Sequence, residues 1–394
     1  MTTNTIQAKT GELKRRIELL RGGILPPMFR GKPMGTFLSA GTGAGPQGKT
    51  YRIYSEADGG YSRMISVPVY PHDHPLAKYA FETELGDKPG TLRTANGALL
   101  KSIPIPRYLN ATLSNGVPLA DRGIIMSHCY NTCTTVFAYK CKHFDNKEEC
   151  KYCEIDPVGK GVSGFPDIQD IDEFAEAVAI AQQKENMRSL TITTGTFDEN
   201  ELVVKRYLDL LKKIREKTDV SIHIQFEPVD DLSLIGEIAQ YVQSIGIFLE
   251  IYDEEIRKQI CPGKSRNSRE KYKRNWAEAA KHIPKGSVTS ACLLGFGEDL
   301  QKVAESAEEF AAVGATTAML FIRSKNEFMS GRIPSYLEAP IDELVDLYLK
   351  VAASLKKHDV HYRPIEAAGC AGCQGCSGMV EASEIAELQA GSVS

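Results

Sequence analysis

The chain has 394 residues, 42% of them hydrophobic and 25% charged, with a net charge of -4. That size and balance suit one large α/β domain with an appendage, or two domains, and exclude a disordered chain. The slightly acidic balance gives no basic field for nucleic acid, so small-molecule chemistry is the default expectation. The start, MTTNTIQAKTGELKRRIELLRGG, lacks the apolar core of a signal peptide, and no run elsewhere reaches a membrane span. A cytoplasmic protein with no membrane partner is expected, and the oligomeric state is not read.

Residues 1–120 are rich in Gly and Pro. A short amphipathic helix around Leu13 to Leu20 precedes the glycine-rich GTFLSAGTGAGPQGKT, then strand-like TYRIYS and RMISVPVY. The glycine-rich stretch lacks GK[ST] in register and does not join a strand to a helix, so it reads as a lid or docking loop, not a phosphate loop. This region is expected to be a mostly β accessory unit.

From about Thr134, apolar and β-branched runs alternate with helical patterns. TTVFAY leads to IDEFAEAVAIAQQKE, SLTITTG to LVVKRYLDLLKKIREK, VSIHIQF to LSLIGEIAQYVQS, and IGIFLEIY to SREKYKRNWAEAAKH; SVTSACLLGF and TTAMLFIR each lead to a further helix. Six such units predict an α/β fold, a partial or full (β/α) TIM-type barrel over 121–360, with loops after the strands carrying the site. Residues 361–394 form a third, C-terminal segment.

Eight of the ten cysteines fall in positions 129 to 153 and 370 to 376, a clustering that indicates metal more than disulfides. Cys141, Cys150 and Cys153, in KCKHFDNKEECKYCEI, follow the first barrel strand. Three thiolates can hold a four-iron cluster and leave one iron without a protein ligand. The eight-residue gap between Cys141 and Cys150 adds only about 0.7 kcal/mol of closure entropy over a three-residue one, against about 10 kcal/mol or more for metal–thiolate binding. A structural zinc completed by His143 or His128 is the competing reading. Cys370, Cys373 and Cys376, in GCAGCQGCSG, have the compact spacing of a second iron–sulfur site, with zinc completed by His361 as its competitor. Cys129 and Cys133 read as buried residues, as ligands of that second cluster or as a thiol offered to substrate; Cys261 and Cys292 read as buried apolar cysteines.

A strand, a three-cysteine loop with Tyr152 just before the last cysteine, and repeating β/α units resemble the radical S-adenosylmethionine (SAM) superfamily. ECKYCEI is closest to its biotin synthase wing. The wider cysteine spacing, AGTGAGP, IPIPRYLNATLSNGVPLADRGI and GCAGCQGC resemble an uncharacterised subfamily found beside nitrilase genes. The resemblance implies a [4Fe–4S] cluster on Cys141, Cys150 and Cys153 that cleaves SAM to a 5′-deoxyadenosyl radical, which takes hydrogen from a small-molecule substrate.

It also implies an electron donor such as flavodoxin or ferredoxin, and a second cluster as sulfur donor or substrate ligand. SAM contacts are implied at Thr193, Thr194 and Gly195, at Glu250, at Arg269 in preference to Arg266, and at Gly295 and Gly297 before Glu298. Two alternatives stay open: a zinc-stabilised barrel acting as a binding or scaffold protein, and a cluster enzyme using SAM as a group donor. Substrate, and oxidoreductase or transferase class, are not fixed by the resemblance.

Overall fold

A computed structural model describes residues 2–25, 28–29, 32–33, 50–55, 64–69, 79–82, 90–93, 99–102, 106–122, 124–128, 132–161, 165–322, 331–360, 368–369, 373 and 375–391. Cys129, Cys370, His361 and residues 35–49 of the glycine-rich stretch lie outside these.

The chain opens with a helix over Thr2–Gly22, far longer than the short one expected around Leu13 to Leu20. Leu13, Ile17 and Leu20 recur at helical spacing and are fully buried. A two-residue hairpin follows, β1 (Met28–Phe29) with β2 (Lys32–Pro33). Then β3 (Thr50–Ser55), β4 (Ile65–Pro68), β5 (Thr91–Arg93) and β6 (Leu99–Ser102) form an antiparallel sheet in the order β4-β3-β6-β5. The β-rich character expected upstream of the barrel lies in this sheet.

Among the described residues seven strands make the main sheet: β7 (Met126–Ser127), β8 (Thr132–Val136), β9 (Ser189–Thr193), β10 (Ser221–Gln225), β11 (Ser244–Gly246), β12 (Val288–Leu294) and β13 (Thr316–Phe321). They run in unbroken chain succession, with β8 to β13 parallel and β7 antiparallel on the edge beside β8. The sheet is curled and open, a half-barrel: the partial-barrel form of the expected fold, with one added edge strand. Helices over Ile171–Glu185, Asn200–Arg215, Ser233–Ala239, Arg269–His282, Leu300–Ala311 and Ile341–Lys357 connect or follow the strands.

Alternation along the strands divides the two faces. Leu190 and Ile192, Ile222 and Ile224, and Ile245 and Ile247 share one face and are fully buried. The other face carries small and polar residues in register, Thr134–Thr191–His223–Ser244 in one row and Gln225–Gly246–Thr289–Thr316 in the next. Behind the sheet, Trp276 anchors the Arg269–His282 helix by donating its indole N–H to Ile247 O at 2.8 Å and packs 4.8 Å from the Phe310 ring.

Helix starts are set by the expected chemistry. Asp170, Asp253, Ser268 and Asp299 accept backbone N–H groups at four of them. β11 is shorter than the IGIFLEIY run suggested. Its ladder stops at Gly246, and the chain rejoins β12 only at a bridge between Glu250 and Cys292. Glu250 has φ +74°, so the strand is kinked where it delivers this carboxylate.

Candidate functional site at the C-terminal ends of the strands

The loop after β8 is fixed from both sides. Lys151 N donates to Ile260 O at 2.8 Å and Gly263 N to Glu148 O at 3.0 Å, tying residues 148–153 to the segment after the Glu254–Ile260 helix. Cys153 N donates to Cys150 O at 2.9 Å, which makes the CKYC turn. Cys141, at the start of the short Lys142–Asp145 helix, and Cys150 are buried, and Cys153 is half-buried.

The three thiols sit in different fields. Burial pushes Cys141 up, while the backbone N–H groups of His143 and Thr196 favour its thiolate. Burial, then Cys150, raise Cys153, against a hydrogen bond from the Ile155 backbone. Cys150 is lowered, first by the Cys261 thiol that donates to it, and despite its burial, with Lys264 adding a positive charge. Cys261 is fully buried as expected, but it stands in the site, 4.0 Å from the Tyr152 hydroxyl.

Beneath the loop lies a buried polar network. Glu227, just past β10, accepts from Thr196 Oγ1 at 2.6 Å and Asn267 Nδ2 at 3.0 Å, and shares a 2.8 Å contact with His143 Nε2. Burial alone would raise this carboxyl; His143, Lys264 and Thr196 instead hold it down at about 2. Lys264 Nζ lies 2.7 Å from Glu250 Oε1. Burial opposes the lysine's charge, but Glu250, then Cys150 and Glu227, keep it protonated, well above its usual range. Asn275, fully buried, grips Val229 through both N–H and carbonyl and so fixes the loop that carries Glu227.

The residues expected from sequence fall into two groups. Thr193, Thr194 and Gly195 stand against the cysteine loop: Phe137 N donates to Thr193 O and Gly195 N to Ala138 O, each at 2.8 Å. A Cβ on Gly195 would fall 2.2 Å from Lys140 O and 3.0 Å from Cys141 Cβ. Glu250 is in the same cluster through Lys264. The loop with Gly295 and Gly297 reaches it through Phe296, whose ring is 6.0 Å from that of Tyr152. Gly295 is spent on packing, because a Cβ there would lie 2.0 Å from Ile322 Cγ2, whereas Gly297 faces open space. Glu298 closes its own loop by accepting from Gly295 N and Phe296 N.

Arg269 is not brought to this cluster. Its guanidinium donates to Tyr252 O, Ser306 and Glu309 and lies 4.7 Å from the Phe310 ring centroid. Arg266 pairs with Glu148. Lys264 is the cation acting on Cys150, and nothing in the sequence marked it. Glu227 ends VSIHIQFEP as Glu250 ends IGIFLEIY, so the argument from a carboxylate at a buried strand end could have found it.

Neither histidine considered for zinc joins the first three cysteines. His143 is held by Glu227 and packed against Gly263, where a Cβ would fall 2.2 Å from Nδ1. His128 lies at the second cysteine cluster, with Nδ1 2.8 Å from Cys373 Sγ and Nε2 3.7 Å from Cys376 Sγ. Among the described residues, no three His, Cys, Asp or Glu side chains close on a single ion. A four-iron cluster asks for a different arrangement, one sulfur at each of several separate irons. Among the described residues no helix is long and apolar enough to cross a membrane.

A model of the radical SAM superfamily matches residues 136–310, which hold β8 from its last residue, β9 to β12 and the cysteine loop. No curated protein matches the chain. Among solved structures, methylornithine synthase (PylB) is 14% identical, with a TM-score of 0.45 over 67% of this chain and 71% of that one. The FeFe-hydrogenase maturase HydG from Carboxydothermus hydrogenoformans is also 14% identical, with a TM-score of 0.44 over 58% of this chain and 52% of its own. A radical SAM methyltransferase from Sphaerobacter thermophilus is 11% identical, with a TM-score of 0.41 over 78% and 82%. With its cysteine loop at the ends of the strands that the family model covers, the chain carries a stretch, residues 136–310, that matches the radical SAM superfamily.

Proposed function

We propose that Cys141, Cys150 and Cys153 hold a [4Fe–4S] cluster at which SAM is cleaved, and that the resulting radical acts on a small substrate in the half-barrel. The observation that carries the reading is the donor set itself. Three thiols stand on one strand-end loop, each with a hydrogen-bond donor at its sulfur, and a half-buried lysine stands beside one of them. Donors to sulfur and nearby positive charge suit an anionic thiolate-bound group.

When bound, the cluster supplies the electron that splits a carbon–sulfur bond of SAM and so yields the 5′-deoxyadenosyl radical. The chain's residues supply the rest. Cys261 and Lys264 favour the thiolate form that Cys150 needs as a ligand. Glu227, ionised and held by His143, Thr196 and Asn267, fixes the loops after β8, β9 and β11 against one another. Gly195 lets the Thr193–Thr194 strand end lie against Cys141, and Thr193, Thr194, Gly195, Glu250 and Gly297 are the proposed contacts for the SAM amine, ribose and adenine. Gly295 shapes its loop, and Arg269 is withdrawn from the set. An electron donor of the flavodoxin or ferredoxin kind is the proposed partner, and Cys370, Cys373 and Cys376 the proposed ligands of a second iron–sulfur cluster.

The test is anaerobic reconstitution with iron and sulfide, then dithionite and SAM. Wild-type protein is expected to form 5′-deoxyadenosine and methionine, and Cys141→Ala, Cys150→Ala and Cys153→Ala variants to form neither. Iron-loaded wild-type protein that makes neither product, or only a group-transfer product of SAM, would overturn the reading.

A further inference from the structure

We propose that Gln225 recognises the substrate, and that it does so through a carboxamide or lactam group on an uncharged small molecule lying against the inner face of the half-barrel. The inference rests on the proposed function only in calling that molecule the substrate.

The polar rows of the sheet face away from the helices. Tyr252, whose ring is 4.9 Å from that of Phe310 in the Leu300–Ala311 helix, shares a 3.0 Å contact with Thr317 Oγ1, so Thr316, the preceding residue of β13, points to the other side. On that side Thr134, Thr191, Thr193, Gln225 and Phe248 are half-buried and adjoin one another from β8 to the end of β11, while His223 and Ser244 beside them are fully buried. None of the residues that the register places on this face of β8 to β13 carries a charge, His223 being kept neutral by its burial. An anion bound there would lose its water without gaining a counter-charge.

A chain of hydrogen bonds orients Gln225. Ser244 Oγ donates to Ser287 O at 2.8 Å, and so has only lone pairs to offer His223 Nδ1, 2.7 Å away. Nδ1 therefore carries the ring's proton. Burial pushes the imidazole down to about 3, so Nε2 keeps its lone pair. Gln225 Nε2, 3.3 Å away, turns an N–H to that lone pair; the opposite orientation would set oxygen lone pairs against it. The carboxamide oxygen is thus directed away from His223, and among the described residues no donor reaches it. One acceptor and a second N–H are left for a ligand, the complement of an amide's own N–H and C=O.

The surroundings suit a flat, neutral group. Gly246 pairs with Gln225 across the β10–β11 ladder, and a Cβ on it would fall 2.7 Å from Phe248 Cε1 and 2.9 Å from His223 Nε2. The missing side chain lets the Phe248 ring lie over β11, 6.4 Å from the His223 ring, as an apolar wall one strand over from Gln225. Gly369, at φ +73°, covers His223 so closely that a Cβ would lie 2.4 Å from Nδ1. Its segment is held by bonds from Ser66 N to Gly375 O and from the buried Arg16 to Ser377 O, each at 2.8 Å. That cover keeps water from the imidazole and so keeps its tautomer fixed.

The test is equilibrium dialysis of ¹⁴C-benzamide and ¹⁴C-benzoate, a planar amide and its anionic isostere, against anaerobically reconstituted full-length protein with SAM. Benzamide should bind at a single site, about tenfold or more tighter than benzoate. Gln225→Leu should weaken benzamide about three- to tenfold and erase the preference. In ¹⁵N-histidine NMR of the cluster-free protein His223 should be protonated on Nδ1 alone, and Ser244→Ala should release that tautomer and weaken benzamide as well. Wild-type protein that binds benzoate as tightly as benzamide, or binds neither, would overturn the proposal whether or not the variants fold. So would a preference that survives Gln225→Leu, or a wild-type His223 protonated on Nε2. Wild-type protein that prefers benzamide yet makes no 5′-deoxyadenosine from SAM would overturn the radical reading and leave the amide site standing.

Discussion

Gly195→Ala tests whether the β9 strand end and the cysteine loop are one packed unit. Gly195 has no left-handed φ, so alanine's backbone is tolerated and any penalty is steric. The added methyl would stand 2.2 Å from Lys140 O, 2.9 Å from Lys140 C and 3.0 Å from Cys141 Cβ. Two of the three atoms are backbone, so relief requires moving the loop. Overpacking of this kind costs about 1–3 kcal/mol, and backbone contact puts it toward the upper end. The unfolded chain returns about 0.4–1 kcal/mol, because alanine has less freedom to lose than glycine. A net loss of about 2 kcal/mol lowers the melting temperature by about 2–3 °C for a chain of 394 residues.

The assay is thermal unfolding of the cluster-free protein, with iron per chain measured after reconstitution. Gly297→Ala is the control: its Cβ meets nothing within 4 Å and it pays only for φ +88°, about 1–2 kcal/mol, with iron content unchanged. Gly195→Ala protein that melts with the wild type and holds its full iron would refute the reasoning.

Glu227→Gln should flatten the acid limb of stability. The carboxyl lies at about 2 in the folded protein against 4.5 in the free residue. Its contribution is therefore complete above pH 4.5 and disappears as pH falls toward 2, on the order of 3 kcal/mol; urea unfolding across that window measures it. Lys264→Met should raise the Cys150 thiol, so alkylation of the cluster-free protein at Cys150, followed by peptide mass spectrometry, should move to higher pH; an unmoved profile would remove Lys264 from the site. Asn275→Ala leaves both backbone groups of Val229 without their side-chain partner and should cost about 2–5 kcal/mol in chemical denaturation. Arg16→Met strips the clamp on Ser377 and leaves Glu381 buried without its cation, a loss of about 3–5 kcal/mol; iron should fall at the second centre and not at the first.

Periodicity made the six parallel strands legible, because strands covered by helices read as runs such as SLTIT and VTSACLL and each recurs before an amphipathic helix. It did not reveal β7, which is two residues long, or the interruption after Gly246, where IGIFLEIY keeps an apolar pattern although the ladder is lost. The cysteine spacing indicated a metal loop, but partners brought in by folding left no local signal. Cys261 looked like any buried cysteine until the backbone bonds of Ile260 and Gly263 set it beside Cys150. Arg269 looked available because an arginine's reach is not written in its neighbours, and Phe310 and Glu309 claim it. His128 joins Cys373 across 245 residues, a pairing that no spacing rule addresses.

The bond from Arg16 to Ser377 joins residues 361 apart in the chain, and it imposes an order on biosynthesis. At about 5–20 residues per second, the ribosome needs roughly 20–70 s to travel between them. Through that interval the N-terminal helix has neither Ser377 nor Glu381 to hold. The loop at 141–153 and strands β8 to β13 are translated before residue 373 is made. The first cysteine set is therefore made before the second, and the bond from Arg16 to Ser377 can close only after both have been made.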